Sequence, residues 1–175
     1  VLPAARSLRD MLATAGIRAH LDDREEHTPG WKYNEWELRG VPLRAEIGPR
    51  DVKKDQAVLV RRDNREKAFV SLETVTEVAT EILESIQADL FERASTFVAA
   101  NTRTVADYDS FKEIMDGPRG FIEAPWCGDE ANEAQRIQED TSATIRCLLA
   151  DRKPDGGCVI CGKPAKHVAI FAKAY

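Results

Sequence analysis

Two sets of side chains in this sequence have the types and spacing to do chemistry. Cys158-Val159-Ile160-Cys161 has the C-x-x-C spacing that lets two thiolates hold one tetrahedral zinc, and Cys127 and Cys147 fall in the same last third of the chain. Clustered cysteines in a chain with no secretion signal read first as a metal site and second as disulfides. A redox pair is the competing use of C-x-x-C, but the flanking residues lack the strand-to-helix context such a pair needs. The second set is basic. Arg39 to Lys67 holds nine Lys/Arg against five Asp/Glu, which makes this stretch the electrostatic candidate for RNA. Within it, Lys53, Lys54, Arg61 and Arg62 read as a solvated face that adds phosphate attraction at most. His20, His27 and His167 show no mutual ligand spacing.

The overall charge of −5 argues against a protein that binds nucleic acid through bulk electrostatics, since such domains are usually basic, and leaves local recognition open. The acidic excess is uneven: residues 1–70 carry 14 Lys/Arg and 12 Asp/Glu, the remainder 11 and 18. If RNA is bound, the first part is the electrostatic candidate for it. No run approaches the ~18 apolar residues of a membrane span, and Arg6, Arg9 and Asp10 interrupt what could pass for a signal peptide. A soluble, cytoplasmic chain with no membrane partner is expected. There is no Gly-rich phosphate loop and no nucleophile with a matching base, so no catalytic residue is assigned.

These groups need elements to position them. Leu8, Met11, Leu12 and Ala15 recur at helical spacing and Gly16 follows as a C-cap, which predicts a helix over 3–15. Ile17 to Leu21 alternates like a half-buried strand. A helix followed by a strand is the order of an α/β sheet whose first strand is missing, which predicts an exposed sheet edge. Thr28-Pro29-Gly30 is a turn before a short helix to Leu38. Strands are expected over 42–47, 57–61 and 68–72, the last two as a hairpin. From Val75 to Phe97 the helical spacing holds for more than twenty residues, long enough to join two domains. The rest reads as a helix over 107–115, a strand over 120–124, a helix over 129–139, a strand over 144–149, a polar loop and a last strand over 168–173. The boundary falls near 100–106, giving a mixed-sheet α/β domain over 1–103 and a small α/β domain over 104–175.

The run from Asp22 to Asp51, with His27-Thr28-Pro29-Gly30-Trp31, Trp36-Glu37-Leu38-Arg39-Gly40 and Ile47-Gly48-Pro49-Arg50-Asp51 at its heart, closely resembles the anticodon-binding domain of prolyl-tRNA synthetases of the archaeal and eukaryotic-like type. The resemblance continues through Ala124-Pro125-Trp126-Cys127-Gly128 to the closing Ala169-Ile170-Phe171-Ala172-Lys173-Ala174-Tyr175 and covers essentially the whole chain. It implies a class II enzyme, usually a homodimer, that activates proline with ATP and Mg and loads it onto its tRNA. The motifs for ATP and proline would lie in a catalytic domain upstream, so this chain should bind tRNA without charging it.

By the same resemblance, Tyr33, Glu37, Arg44, Arg50 and Asp51 occupy the positions that contact the two adjacent guanines of the proline anticodon loop. Guanine offers acceptors at O6 and N7, suited to Arg, and donors at N1 and N2, suited to a carboxylate. Tyr33 would stack, Glu37 and Asp51 would accept, and Arg44 and Arg50 would donate. Trp31 and Trp36 read as core or platform-supporting residues rather than readers.

Zinc-bearing relatives match Cys127, Cys158 and Cys161 but place a further cysteine where Asn132 stands, so the fourth ligand of a structural zinc stays open. Cys147, water, His167 and a metal-free site are the alternatives, although Cys147, inside the apolar run Ile145 to Leu149, reads as a buried structural cysteine. Relatives also end in tyrosine, and the resemblance implies that the Tyr175 tail folds toward their catalytic domain. The competing functions are a freestanding synthetase-derived RNA-binding or regulatory module, and a zinc-dependent interaction domain with no RNA role.

Overall fold

In the computed structural model, which describes residues 1–173, the chain divides between Glu92 and Arg93 into two compact units. Ala174 and Tyr175, and with them the expectation for the C-terminal tail, lie outside the described residues. The division falls inside one long helix.

The first unit opens with α1 (Leu2–Thr14), which has Pro3 in its first turn, where the missing N–H costs nothing. It buries Leu8 and Leu12, at i and i+4, and ends before Gly16, whose φ of +84° is the left-handed conformation glycine adopts without strain. Then follow α2 (Pro29–Leu38), β1 (Leu43–Glu46), the one-turn α3 (Pro49–Val52), β2 (Gln56–Arg61) and β3 (Lys67–Ser71). The three strands form an antiparallel sheet in the order β1-β2-β3. Opposed residues point to one face, so Ala45, Leu59 and Ala68 share a row, and that face meets α1 and the first turns of α4 (Val75–Ala100) around Leu59, Val70, Val75 and Ala79. Burying Leu59, 1% exposed, contributes about 2 kcal/mol.

Ile17 to Leu21 carries no regular secondary structure and is not a strand. The backbone of Arg18 to Leu21 makes no backbone hydrogen bond among the described residues, and β1 is an edge strand on that side. Between them lies an apolar cavity of about 320 Å³ lined by Ile17, Ala19, Leu43, Ala45 and Leu59. The alternation in sequence was real, but these residues have no ladder partner among the described residues.

The second unit carries a mixed four-stranded sheet in the order β4-β5-β7-β6, made of β4 (Thr102–Thr104), β5 (Phe121–Trp126), β6 (Ala143–Leu148) and β7 (His167–Lys173). β4 is parallel to β5 and the other pairs are antiparallel. Two helices, α5 (Tyr108–Asp116) and α6 (Glu133–Thr141), complete it. Asp107 caps α5 by accepting from Ser110 N–H at 2.8 Å. The core gathers Phe111, Met115, Ile122, Ile137 and Phe171, with Phe111 and Phe171 edge to face at 5.3 Å. β5 runs on past the expected end to Trp126. Pro125 is tolerated there because β4 pairs only with Phe121 to Glu123, so no β4 ladder bond needs the N–H that proline lacks.

Candidate nucleic-acid interface and metal centre

The upper face of the first sheet is built by register. In β1, Arg44 and Glu46 sit two residues apart and therefore on the face opposite Leu43 and Ala45. In α2, Tyr33 and Glu37 sit four apart and share a helix face. Thr28 caps α2 by accepting from Trp31 N–H, and Pro29 occupies its first turn. The two pairs meet. Arg44 Nη1 donates to Glu37 Oε1 at 2.7 Å and its Nε donates to Glu46 Oε1 at 2.8 Å. Its guanidinium carbon lies 4.0 Å from the centre of the Tyr33 ring. Arg65, in left-handed conformation (φ +66°) in the β2-β3 turn, donates to the same Glu37 oxygen.

Asp51 and Arg50 sit on α3. The Asp51 carboxylate accepts from Gly48 N–H and from Gln56 Nε2, each at 2.9 Å, so it holds the first turn of α3. Arg50 is exposed and makes no ion pair or side-chain hydrogen bond among the described residues. Of the five expected readers, Tyr33 and Glu37 both contact Arg44, and Arg50 and Asp51 are neighbours on α3. Glu46, Gln56 and Arg65 join the array without having been singled out. Glu46 was readable from its spacing to Arg44 in a strand; Arg65, 28 residues from Glu37, was not.

Arg65, and after it Arg44, holds the Glu37 carboxyl below the usual carboxylate range against the opposing effect of burial. Gln56 and the Gly48 N–H do the same for Asp51. Burial pushes the Tyr33 hydroxyl above its ordinary value, so it stays protonated.

A second network braces α2 from the side. Arg24 Nη2 bridges Asp22 at 2.7 Å and Glu35 at 2.6 Å, and Trp36 Nε1 donates to Asp22 Oδ2 at 2.8 Å. Trp31 is not a core residue: it is 46% exposed, stacked on His27 at 3.7 Å with the Arg24 guanidinium on its ring. The short α2 buries none of its residues fully, which leaves no core position for that indole.

In the second unit, Cys127 follows the end of β5, and Cys158 and Cys161 lie in the β6-β7 connection. Their sulfurs all lie within 4.8 Å of one another. The backbone makes the approach. Val159 N–H bonds Pro125 O at 2.9 Å and Lys166 N–H bonds Trp126 O at 2.9 Å, tying the loop to β5 on both sides of the cysteine turn. Within that turn Cys158 N–H bonds Lys163 O at 2.7 Å, and Gly157 comes so close to Gly162 that a Cβ would stand 2.7 Å from its carbonyl oxygen. Cys147 is not part of the group. It lies exposed on β6, an edge strand with a bulge between Ile145 and Cys147, and is neither a buried structural residue nor beside the other sulfurs. Asn132 spends its amide on Asp129 at 3.2 Å, and His167 is outside the group of three.

Three crowded thiols fit a thiophilic dication. Burial first, then the neighbouring sulfurs, pushes the Cys161 thiol up to about 11. Zinc would take these three sulfurs as ligands, with its fourth position left for a ligand from outside this group.

Comparison with known proteins agrees with both halves. Residues 1–82 match the family described as anticodon binding domain, and residues 108–175 match the family described as prolyl-tRNA synthetase, C-terminal. The chain is 49% identical over 171 residues to a proline–tRNA ligase of Rubrobacter xylanophilus, covering 98% of this chain and 35% of that protein. It is 47% identical over 176 residues to one from Lachnospira eligens, covering 100% and 36%. To proline–tRNA ligase 2 of Clostridioides difficile it is 42% identical over 165 residues, covering 94% and 34%. The chain spans about a third of the length of the curated relatives it matches.

Proposed function

The chain belongs to the prolyl-tRNA synthetase family, and from that premise we propose that its first domain, 1–103, reads the anticodon loop of proline tRNA for a proline–tRNA ligase. The observation that carries the reading is the Arg44 cluster: a guanidinium held between Glu37 and Glu46 over the ring of Tyr33. Donors and acceptors of both kinds needed for guanine stand on one face. Glu37 and Asp51 accept from guanine N1 and N2, Arg44 and Arg50 donate to O6, N7 or phosphate, and Tyr33 stacks.

A base would exchange for part of this network: the Arg44 and Glu37 side chains are 21% and 17% exposed, and a good bidentate contact discriminates by ~1–3 kcal/mol. The ion pairs meanwhile hold the readers in one rotamer before RNA arrives, which reduces the ordering cost of binding.

The second domain, 104–175, stabilises the C-terminal part. Cys127, Cys158 and Cys161 would hold a structural zinc that pins the loop to β5 and takes no part in a reaction. The longer protein would carry the catalytic domain that this part serves, activate proline with ATP and Mg, act as a homodimer and work in the cytoplasm. No helix among the described residues is long and apolar enough to cross a membrane.

Fluorescence anisotropy with a proline anticodon stem-loop, against the same loop with both guanines replaced by adenine, tests the reading. A clear preference for the guanine loop at fixed salt supports it. Equal affinity would place RNA binding, if any, in bulk electrostatics and defeat it.

A further inference from the structure

Phe69 is a large apolar side chain left 70% exposed in the middle of β3. Its position follows from the register. Glu46 opposes Val58 and Val58 opposes Phe69, so these three side chains form one row on one face, and Arg44, Val60 and Lys67 form the next. Val58 and Val60 are buried, at 8% and 3%. The groups left to act on this face are therefore Arg44 and Glu46 on one side and Lys67 and Phe69 on the other. Phe69 lies two strands from Glu46, about 10 Å.

We propose that Phe69 is a second stacking platform for the RNA, taking a base next to the one read at the Arg44 cluster. The proposal rests on the anticodon reading above and adds to it a contact that reading does not contain. Two observations favour a nucleic-acid base over a protein partner. The flanking side chains are cationic: Lys67 in the adjacent row, and Arg65, 63% exposed, in the turn that leads into β3. The Tyr33 ring, in contrast, has one face covered by the Arg44 guanidinium at 4.0 Å and is half-buried. Phe69, 70% exposed, has no guanidinium or second ring stacked on it among the described residues and is open to a planar ligand.

A bare aromatic at a sheet edge also invites self-association, which gives a fold no reason to keep one there. The competing account is cross-strand packing on Val58 and the strand propensity of phenylalanine. Phe69→Val keeps strand propensity and removes the ring; Phe69→Trp keeps a ring.

The experiment is binding of the chain and both variants to the proline anticodon stem-loop, together with a stem-loop carrying 2-aminopurine beside the guanines. Stacking predicts a roughly 5- to 150-fold loss for Phe69→Val, little loss for Phe69→Trp, and quenching of 2-aminopurine that disappears in Phe69→Val. The salt slope should not change in Phe69→Val, whereas Lys67→Ala should reduce it by about one unit. Affinity within twofold of the unsubstituted chain for Phe69→Val overturns the proposal and leaves the ring to packing or to a protein. The unsubstituted chain's preference for guanine reports separately on the anticodon reading: if the preference holds and Phe69→Val is silent, only the present inference fails; if no RNA binds, both fail.

Discussion

Glu37→Gln isolates what a charged acceptor does in the Arg44 cluster, because it keeps the shape of the side chain and removes the charge. In the free chain Glu37 Oε1 accepts from Arg44 at 2.7 Å and from Arg65, and the side chain is 17% exposed. The substitution weakens the Arg44 contact by about 1 kcal/mol, and Arg44 keeps Glu46 at 2.8 Å, so the fold should survive with a small fall in its urea midpoint. The effect on RNA should be larger. A carboxylate that accepts from guanine N1 and N2 is replaced by an amide that presents N–H groups toward donors, a loss of about 2 kcal/mol or thirtyfold in Kd. The assay is a cycle of two proteins and two stem-loops. Against the loop with the cognate guanine replaced by adenine, Glu37→Gln should cost little, giving a coupling of at least ~1 kcal/mol. Equal losses on both loops would refute the reasoning, since the substitution would then be acting through net charge or through the fold.

The remaining predictions concern charge, metal and dynamics. Arg65 is the first cause of the lowered Glu37 pKa, so Arg65→Ala should raise it; because a depressed carboxyl contributes stability above its unfolded value near 4.5 and loses it as pH falls through the folded value, the acid unfolding midpoint of the first unit should move to higher pH, read by circular dichroism. An unchanged midpoint would mean that Arg65 does not hold Glu37 in solution. Cys158→Ser should abolish the thiolate-to-metal absorption of a Co(II)-loaded chain while Cys147→Ser leaves it intact, because Cys147 is exposed on β6 away from the other three; loss of the band in Cys147→Ser would contradict the site. Native-state hydrogen exchange should find the amides of Arg18 to Leu21 fast and those of Val58 to Val60 slow, since only the latter belong to a ladder on both sides; comparable protection would show that the segment has a partner strand in solution.

Elements defined by repeated local signals were legible in the sequence. The apolar spacing of α1 and α4, the β2-β3 hairpin and the short strands that became β5 and β7 were each expected from local sequence, and each element is present. What failed needed three-dimensional information. Ile17 to Leu21 shows the alternation of a strand, but alternation reports which side chains face inward and says nothing of a hydrogen-bonded neighbour. β4, Thr102–Thr104, is three polar residues and becomes a strand only because Phe121 to Glu123 lie alongside. The α3 turn was hidden behind Gly48-Pro49, which reads as a stop, though proline in a first turn with Asp51 bonded back to Gly48 is also a helix start. Cys147 was misplaced because an apolar run was taken as a buried strand, whereas β6 is an edge and its bulge turns the cysteine outward.

The candidate site divides the same way. Arg44 and Glu46 share a face by strand parity and Tyr33 and Glu37 by helix spacing, so each pair could be found from sequence. Their meeting across the sheet, and the arrival of Arg65 from the turn beyond, could not. The cysteine group is similar: C-x-x-C marks two ligands, but only the bonds from Val159 and Lys166 to β5 bring Cys127 to them.

The most direct test of the central claim is where RNA touches the chain. Titration of the isotopically labelled chain with the proline anticodon stem-loop, followed through backbone amides and arginine Nε–H resonances, should shift Tyr33, Glu37, Arg44, Arg50 and Asp51 together, with Arg44 Nε responding as its contact with Glu46 is exchanged. Shifts confined to the second unit or to the exposed turns of α4, with the Arg44 cluster silent, would contradict the account.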